Sequence, residues 1–221
     1  MAEVFTPSWI CNIQNNIIDN SWFDRKNVFN KESFNKKSWT TNRNKIKFPK
    51  NKNWEDYINE KRFEIACGEA PYLVSRYDST AGQFIEIENR IGLLDRKLRV
   101  INENVNNSDD WINVTKLAYK NIYGYEWQGD SLLLAREAML FTFIENYNYK
   151  FKKEPSLKSI QDISNIISWN LWQMDGLNGV VPYSNKEIKR KKVNLFGEEE
   201  IYKTKHNGIY CIIKDWSKKD D

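Results

Sequence analysis

The most informative stretch of this 221-residue chain is the segment Glu64-Ile-Ala-Cys-Gly-Glu-Ala-Pro-Tyr-Leu73. Apolar residues run into small residues around Cys67-Gly68, which is the pattern of a strand that ends in a tight turn. Such a turn brings backbone N–H groups towards a ligand, and an acid at the strand end, here Glu64, binds an ammonium or hydroxyl group. Taken alone, the same pattern is also typical of an ordinary bend.

The composition indicates a globular chain. It is 40% hydrophobic and 29% charged, and its net charge of +4 is too small to identify a nucleic-acid-binding protein. No apolar run approaches the roughly 18 residues of a membrane span. Cys11, Cys67 and Cys211 are far apart, which suggests neither a disulfide framework nor a Cys zinc site and fits a reducing cytoplasm. The single histidine, His206, excludes a His-rich metal site.

Hydrophobic periodicity predicts helices on both sides of the first strand. The first helix is expected to bury a face made of Trp9, Ile13, Ile17 and Ile18. The expected elements are, in order, a helix over residues 9–23 capped by Ser8, an irregular connection over 24–53, a short helix over 53–60, a strand over 63–66 and a helix over 85–100.

The second half of the chain predicts two further strands. The resulting order of strand, helix, strand, helix, strand indicates crossover connections and a parallel sheet with flanking helices. The composition then changes to a basic run at residues 186–192. The expected elements are a helix from Asp109 or Asp110 to Tyr119, a strand over 122–126, a helix over 130–149, a helix capped by Ser156, a strand over 166–174 and a last strand over 208–213.

Four segments follow one another in a recognisable order: Glu3–Ile10 (Glu-Val-Phe-Thr-Pro-Ser-Trp-Ile), Glu64–Leu73, Tyr123-Gly-Tyr-Glu126, and Asn170–Leu177 (Asn-Leu-Trp-Gln-Met-Asp-Gly-Leu). This series resembles the cofactor half of S-adenosylmethionine-dependent DNA adenine-N6 methyltransferases, the modification subunits of restriction–modification systems. It looks most like short members from phages and prophages. The resemblance implies a partial class I methyltransferase fold, which is α/β and Rossmann-like, over residues 1–180, with 24–53 as an insertion and 181–221 as a mixed-charge segment.

The resemblance also implies an S-adenosylmethionine site at the ends of the strands. Glu126 would accept both ribose hydroxyls, as acids do after the second strand of dinucleotide-binding folds, and Asp175 would accept the amine of the cofactor adenine. Backbone N–H groups near Cys67 would meet the methionine carboxylate, and Glu64 would face the ammonium. The implied cofactor-binding residues are Phe5, Thr6, Pro7, Glu64, Ala66, Cys67, Gly68, Glu69, Tyr72, Glu126, Trp127 and Asp175.

Two departures from the family's pattern stand out. Its second glycine in the first turn is Ala70 here, which is tolerable where the local φ is negative. These enzymes also receive the flipped adenine at an Asn/Asp-Pro-Pro-Tyr/Phe segment, and no such tetrapeptide occurs in this chain. The nearest match is Ile212-Ile-Lys-Asp-Trp216, which makes Asp215 and Trp216 the catalytic candidates.

Three functions remain open. One is a methyltransferase-like protein that needs a second polypeptide for DNA methylation, and another is a methyltransferase for RNA or a small molecule. A third is a non-enzymatic inhibitor of a host restriction enzyme or CRISPR effector, in which Lys189, Arg190, Lys191 and Lys192 contact nucleic-acid phosphates. The same basic run is also typical of a solvated loop.

The expected partners follow from these functions. They are DNA or RNA, a host nuclease, and a partner subunit or second copy of the chain, because half a sheet leaves an unpaired edge. The expected location is the cytoplasm of a bacterial or phage-infected cell, with no membrane contact.

Overall fold

The computed structural model describes residues 5–33, 35, 37–184, 187–193, 199–205 and 208–217, with the backbone alone over 187–193 and 199–205. The helices are α1 (Ser8–Phe23), α2 (Trp54–Asn59), α3 (Leu93–Asn104), α4 (Ser108–Lys120), α5 (Gly129–Phe151) and α6 (Leu157–Asn170). The strands are β1 (Asn30–Ser33), β2 (Ser38–Thr41), β3 (Arg62–Ile65), β4 (Ile122–Glu126), β5 (Leu171–Gln173), β6 (Glu187–Val193) and β7 (Glu199–Lys205). None of the helices in the described part of the chain combines the length and hydrophobicity that a bilayer crossing requires.

A three-stranded parallel sheet forms the centre of the fold. β4 lies between β3 and β5, with Arg62 opposite Ile122 and Gly124 opposite Leu171. α3 and α4 connect β3 to β4, and α5 and α6 connect β4 to β5. The predicted α/β fold with a parallel sheet and flanking helices is therefore confirmed, and the arrangement is compatible with a Rossmann-like fold. Because the strands are parallel, their carboxyl ends share one edge of the sheet.

The two faces of this sheet differ in their covering. Ile122 faces the helices and is fully buried, whereas Phe63 and Ile65, which point to the other face, are 57% and 49% exposed. The segment 208–217 lies across this second face, where the Tyr123 O–H donates to the carbonyl of Lys214 at 3.3 Å. Parallel sheets are usually covered on both faces, so this face is incompletely covered.

Helix α1 packs through its polar face, contrary to the sequence prediction. Asn12, Asn16 and Asp19 are buried, while Ile17 is 64% exposed. The reason is the buried Arg96 of α3, whose guanidinium donates to Asp19 at 2.6 Å, to Asn12 at 2.9 Å and to Asn16 at 2.7 Å. The apolar periodicity of a helix does not reveal that a distant arginine will be buried against its other face.

Helix α3 begins eight residues later than the predicted start at residue 85. A 3₁₀ turn covers Ile87–Asn89, and Gly92 is the N-cap residue. A Cβ atom on Gly92 would lie 2.4 Å from the carbonyl oxygen of Leu73, so this close approach requires glycine. Asp95 stabilises the helix start, because its Oδ2 accepts the Gly92 N–H at 3.1 Å.

The strand predicted over 166–174 is mostly wrong, since helix α6 continues to Asn170. Ile163, Ile166 and Ile167 are buried together on one face of this helix. The Asn170 side chain then donates to the carbonyls of Tyr119 and Ile122 at 2.9 and 2.8 Å, which ends α6 against β4. An isoleucine-rich run fits a strand or a buried helix equally, and packing against α4 and α5 decides for the helix.

Two helix caps also differ from the prediction. Pro7, not Ser8, is the N-cap of α1, and Ser8 is the first helical residue. Asn107 caps α4 by accepting the N–H groups of Asp109 and Asp110. The predicted strand over 122–126 and the predicted Ser156 cap of α6 agree with the structure.

Two segments predicted from composition contain different structure. The connection expected to be irregular over 24–53 holds the antiparallel pair β1 and β2. The last strand expected over 208–213 is reduced to an isolated bridge between Val180 and Tyr210. Instead, β6 and β7 form an antiparallel hairpin, with Lys189 opposite Lys203.

Candidate functional site

The turn after β3 has a strained backbone. Ala66, Gly68 and Ala70 have φ angles of 54°, 53° and 62°. This left-handed region costs an alanine about 1–2 kcal/mol, so Ala70 does not meet the condition of a negative φ. The Cys67 N–H donates to the carbonyl of Tyr125 at 2.8 Å, which ties the turn to β4.

Glu126 at the end of β4 accepts three backbone N–H groups. Its Oε2 accepts from Gly68 at 2.6 Å, and its Oε1 accepts from Trp127 at 2.8 Å and from Gln128 at 2.9 Å. The carboxylate therefore joins the turn after β3 to the start of α5. A ribose that bound here would have to compete with these N–H groups for the carboxylate oxygens.

Glu64 in β3 has an unused acceptor. Its buried Oε2 has no hydrogen-bond partner in the described part of the chain. Burial raises the pKa of Glu64 well above its ordinary value, and the charge of Glu126 raises it further. A buried carboxyl group without a partner is costly, and a positively charged donor is the ligand that would relieve this cost.

Neutral groups surround Glu64. Burial raises the pKa of the Cys11 thiol to about 12, with Glu64 as the next cause. Burial, Cys11 and Glu64 together raise the pKa of Tyr72 to about 12. Burial also raises the pKa of the Cys67 thiol, and Glu64 and Glu126 add to the effect. A thiol or phenol is either neutral or negatively charged, so none of the three supplies a positive charge to Glu64, and their raised pKa values keep them neutral at neutral pH.

The chain before α1 is fixed to the loop that follows the turn. The Ser79 hydroxyl donates to the carbonyl of Thr6 at 3.2 Å, and the Ser8 N–H donates to Asp78 at 2.8 Å. These bonds hold the start of α1 close to the Glu64 environment, while Phe5 is 40% exposed.

Asp175 closes the turn after β5. Its Oδ1 accepts the N–H groups of Leu177 at 3.1 Å and Asn178 at 3.2 Å. Trp127, at the neighbouring strand end, packs edge-on against Tyr183 with ring centroids 5.1 Å apart. The predicted acid after the third strand therefore lies at the same edge of the sheet as Glu126.

The structure thus gathers the predicted cofactor-binding residues at the carboxyl ends of β3, β4 and β5 and around the start of α1. The carboxylate of Glu69 is instead engaged by Tyr77, whose O–H donates to it at 2.7 Å. Among the described residues, no group of His, Cys, Asp or Glu side chains is arranged to hold a metal ion.

The catalytic candidates lie at the opposite end of the sheet. Asp215 pairs with Lys61, which directly precedes β3, at 3.5 Å. The Trp216 indole donates to Asn170, directly before β5, at 2.7 Å. β4 has five residues, so at about 3.3 Å per residue the two ends are roughly 15 Å apart. Asp215 and Trp216 therefore lie about one strand length away from Glu126, and their catalytic role stays a prediction.

The predicted nucleic-acid-binding residues lie in the β6–β7 hairpin. The backbone places Lys189, Arg190, Lys191 and Lys192 in β6, but their side chains lie outside the described part of the structure. Their contact with nucleic acid stays a prediction.

One feature had no counterpart in the sequence motifs. A cavity of about 700 Å³ lies between α3 and α5, away from the strand ends. Its charged residues come from four separate segments, so only the tertiary structure brings them together.

No family model, no curated protein and no solved structure matches this chain. The resemblance to adenine methyltransferases therefore rests on the motifs alone.

Proposed function

We propose that this protein is a methyltransferase-like module of restriction–modification type that binds S-adenosylmethionine at the carboxyl ends of β3, β4 and β5. The observation that carries the proposal is the buried Oε2 of Glu64, which lacks a partner among the described residues. The ammonium of the cofactor supplies both a hydrogen-bond donor and a positive charge to this atom. The ends of parallel strands are also the usual binding edge of open α/β sheets.

Methyl transfer to adenine requires residues that this site does not supply. The sequence has no Asn/Asp-Pro-Pro-Tyr/Phe segment, and Asp215 lies at the amino ends of the strands. We therefore propose that this chain contributes the cofactor site and that a second polypeptide contributes the catalytic residues and the DNA target.

Calorimetric titration of S-adenosylmethionine tests this proposal. We expect micromolar binding to the wild-type protein and binding at least about tenfold weaker to Glu64→Gln, since one charge-assisted hydrogen bond contributes about 1.5–3 kcal/mol. Glu64→Gln is the suitable variant because it removes charge and keeps the shape of the side chain. Glu126→Ala would also release the turn after β3, so its loss of binding would have two explanations.

Glu55→Gln on α2 is the matched control, because it removes one exposed carboxylate outside the site. Binding that is equally weak in both variants, or absent from the wild type, would contradict the proposal.

The second candidate function is a non-enzymatic inhibitor of a host defence nuclease. The observation that favours it is the separation of the catalytic candidates from the strand ends, together with the exposed Phe63 and Ile65 on the open face of the sheet. An inhibitor would keep its activity in Glu64→Gln. A nuclease protection assay with restriction enzymes and CRISPR effectors, with and without this substitution, separates the two functions.

A further inference from the structure

The cavity between α3 and the C-terminal half of α5 has the size of a small-molecule site. Its volume is about 700 Å³, within the range of about 300–1,000 Å³ that such sites occupy. The loop after β2 and the 3₁₀ turn Ile87–Asn89 form its other walls. Its lining includes none of the residues at the carboxyl ends of β3, β4 and β5, so it is independent of the proposed cofactor site.

Two arginines of the lining are held in fixed positions. Arg43 pairs with Glu88, and Arg99 donates to Glu103 at 2.9 Å and to the carbonyl of Asn42 at 2.6 Å. Guanidinium groups that are already oriented lose little further freedom when they bind an anion.

Two lysines of the lining add charge that no carboxylate among the described residues balances. Lys150 Nζ donates to the carbonyl of Asn102 at 2.6 Å and to Asn106 Oδ1 at 3.2 Å. Lys152 Nζ lies 5.1 Å from the centroid of the Tyr149 ring. Within the part of the chain that the structure describes, neither lysine has a carboxylate oxygen within 4 Å. Carbonyl oxygens and an aromatic ring orient these ammonium groups without cancelling their charge.

The remaining carboxyl group of the lining is Asp95. Its Oδ2 accepts the N–H of Ser75 at 2.8 Å and that of Gly92 at 3.1 Å. Burial raises the pKa of Asp95, although Arg90 acts in the opposite direction. Four cationic side chains therefore face two paired carboxylates and one buried acid, and the balance favours an anion.

We propose that this cavity binds an anionic ligand of nucleotide size. Its phosphate groups contact Arg43, Lys150 and Lys152, and its base lies beside Tyr149, which presents an aromatic ring in the same lining.

Calorimetric titration of ADP at low ionic strength tests the proposal, with adenosine as the comparison that lacks phosphate. We expect ADP to bind at least about tenfold more tightly than adenosine, and the double substitution Lys150→Gln and Lys152→Gln to remove most of this difference. Lys26→Gln with Lys31→Gln is the matched control, because it removes two exposed positive charges outside the lining.

A second variant separates a defined site from diffuse attraction to positive charge. Ile87→Trp fills part of the cavity and keeps every charge, so it should also weaken ADP binding by at least about tenfold. Circular dichroism melting curves confirm that the variants are folded. Three results would overturn the proposal. They are absence of ADP binding, ADP binding that is unchanged in the cavity variants, and ADP binding that Glu64→Gln weakens while the cavity variants do not.

Discussion

At the scale of single residues, Glu64 dominates the chemistry of the strand ends. It is a carboxyl group with one buried oxygen that has no hydrogen-bond partner among the described residues, close to a second carboxylate, and its neighbours Cys11 and Tyr72 are neutral. The chain keeps this unfavourable arrangement at the edge of the sheet where ligands usually bind. This arrangement marks the carboxyl ends of the strands as the candidate functional site.

The raised pKa of Glu64 predicts how stability depends on pH. The folded protein holds this proton to higher pH than the unfolded chain does, so the contribution of Glu64 is greatest below its ordinary pKa and falls as pH rises through the raised value. Glu64→Gln should therefore increase the free energy of unfolding at about pH 8 relative to wild type, and have less effect at about pH 4. Urea denaturation at both pH values measures this, and equal effects at the two would contradict it.

Two alanines with a left-handed backbone conformation, Ala66 and Ala70, predict a stabilising substitution. Ala66 is exposed and has a φ of 54°, so Ala66→Gly should raise the free energy of unfolding by about 1 kcal/mol. Ala70→Gly relieves similar strain but loses a fully buried methyl group, which offsets the gain by about 0.8 kcal/mol. Thermal unfolding of the two variants should rank Ala66→Gly above Ala70→Gly, and the reverse order would argue against backbone strain at Ala66.

At the scale of secondary-structure elements, helix α1 has an unusual orientation. Asp19 and Arg96 form a buried ion pair with an N–O distance of 2.6 Å, with side chains 2% and 1% exposed. The Tyr57 O–H also donates to Asp19, at 3.0 Å. The polar network fixes α1 on α3, and the isoleucine stripe of α1 faces outwards as a consequence.

This network predicts unequal costs on the two faces of α1. Arg96→Met should lower the free energy of unfolding by about 3 kcal/mol, because Asp19 stays buried without the guanidinium that pairs with its charge. The double variant Asp19→Leu with Arg96→Met should be less destabilised, since it removes both charges of this ion pair. Ile17→Gln on the exposed face should change stability by less than about 0.5 kcal/mol. Chemical denaturation compares the three, and a larger effect of Ile17→Gln would refute this packing.

At the scale of the whole molecule, the parallel sheet is open in two ways. In the described part of the chain, β3 pairs on one side only, and Phe63 and Ile65 are exposed on the face that lacks helices. An unpaired edge of this kind attracts further strands.

The open edge predicts self-association. The wild-type protein should form dimers as its concentration rises, and Phe63→Lys should shift the equilibrium to monomers, because a lysine beside the edge blocks strand addition and reduces the apolar surface. Sedimentation velocity measures both species. Monomers at every concentration would favour a different polypeptide as the partner.

The basic run predicts a salt-dependent interaction. If Lys189, Arg190, Lys191 and Lys192 contact duplex DNA phosphates, replacing all four by Gln should reduce the slope of log affinity against log salt by about 3.6. Fluorescence anisotropy at several salt concentrations measures this slope. The control replaces four exposed lysines by Gln. An equal reduction of the slope in this control would indicate diffuse attraction of DNA to positive charge. The control positions are Lys26, Lys31, Lys45 and Lys50.

Local patterns in the sequence predicted the α/β class and the carboxyl ends of the three parallel strands β3, β4 and β5. The small-residue turn after Glu64 and the acids at Glu126 and Asp175 follow short apolar runs, and parallel strands place such positions at one edge. These features depend on residues that are neighbours in the chain, so they can be predicted without the structure.

Tertiary packing decided the features that depend on distant partners. The buried face of α1 follows from Arg96, the helical form of residues 166–170 follows from packing on α4 and α5, and the position of Asp215 follows from Lys61, which is 154 residues away in the chain. The carboxyl ends of β3, β4 and β5 could be placed from the chain alone, because that signal is local. Which charges are buried, paired or gathered around a cavity depends on tertiary packing, because those energies come from groups that folding brings together.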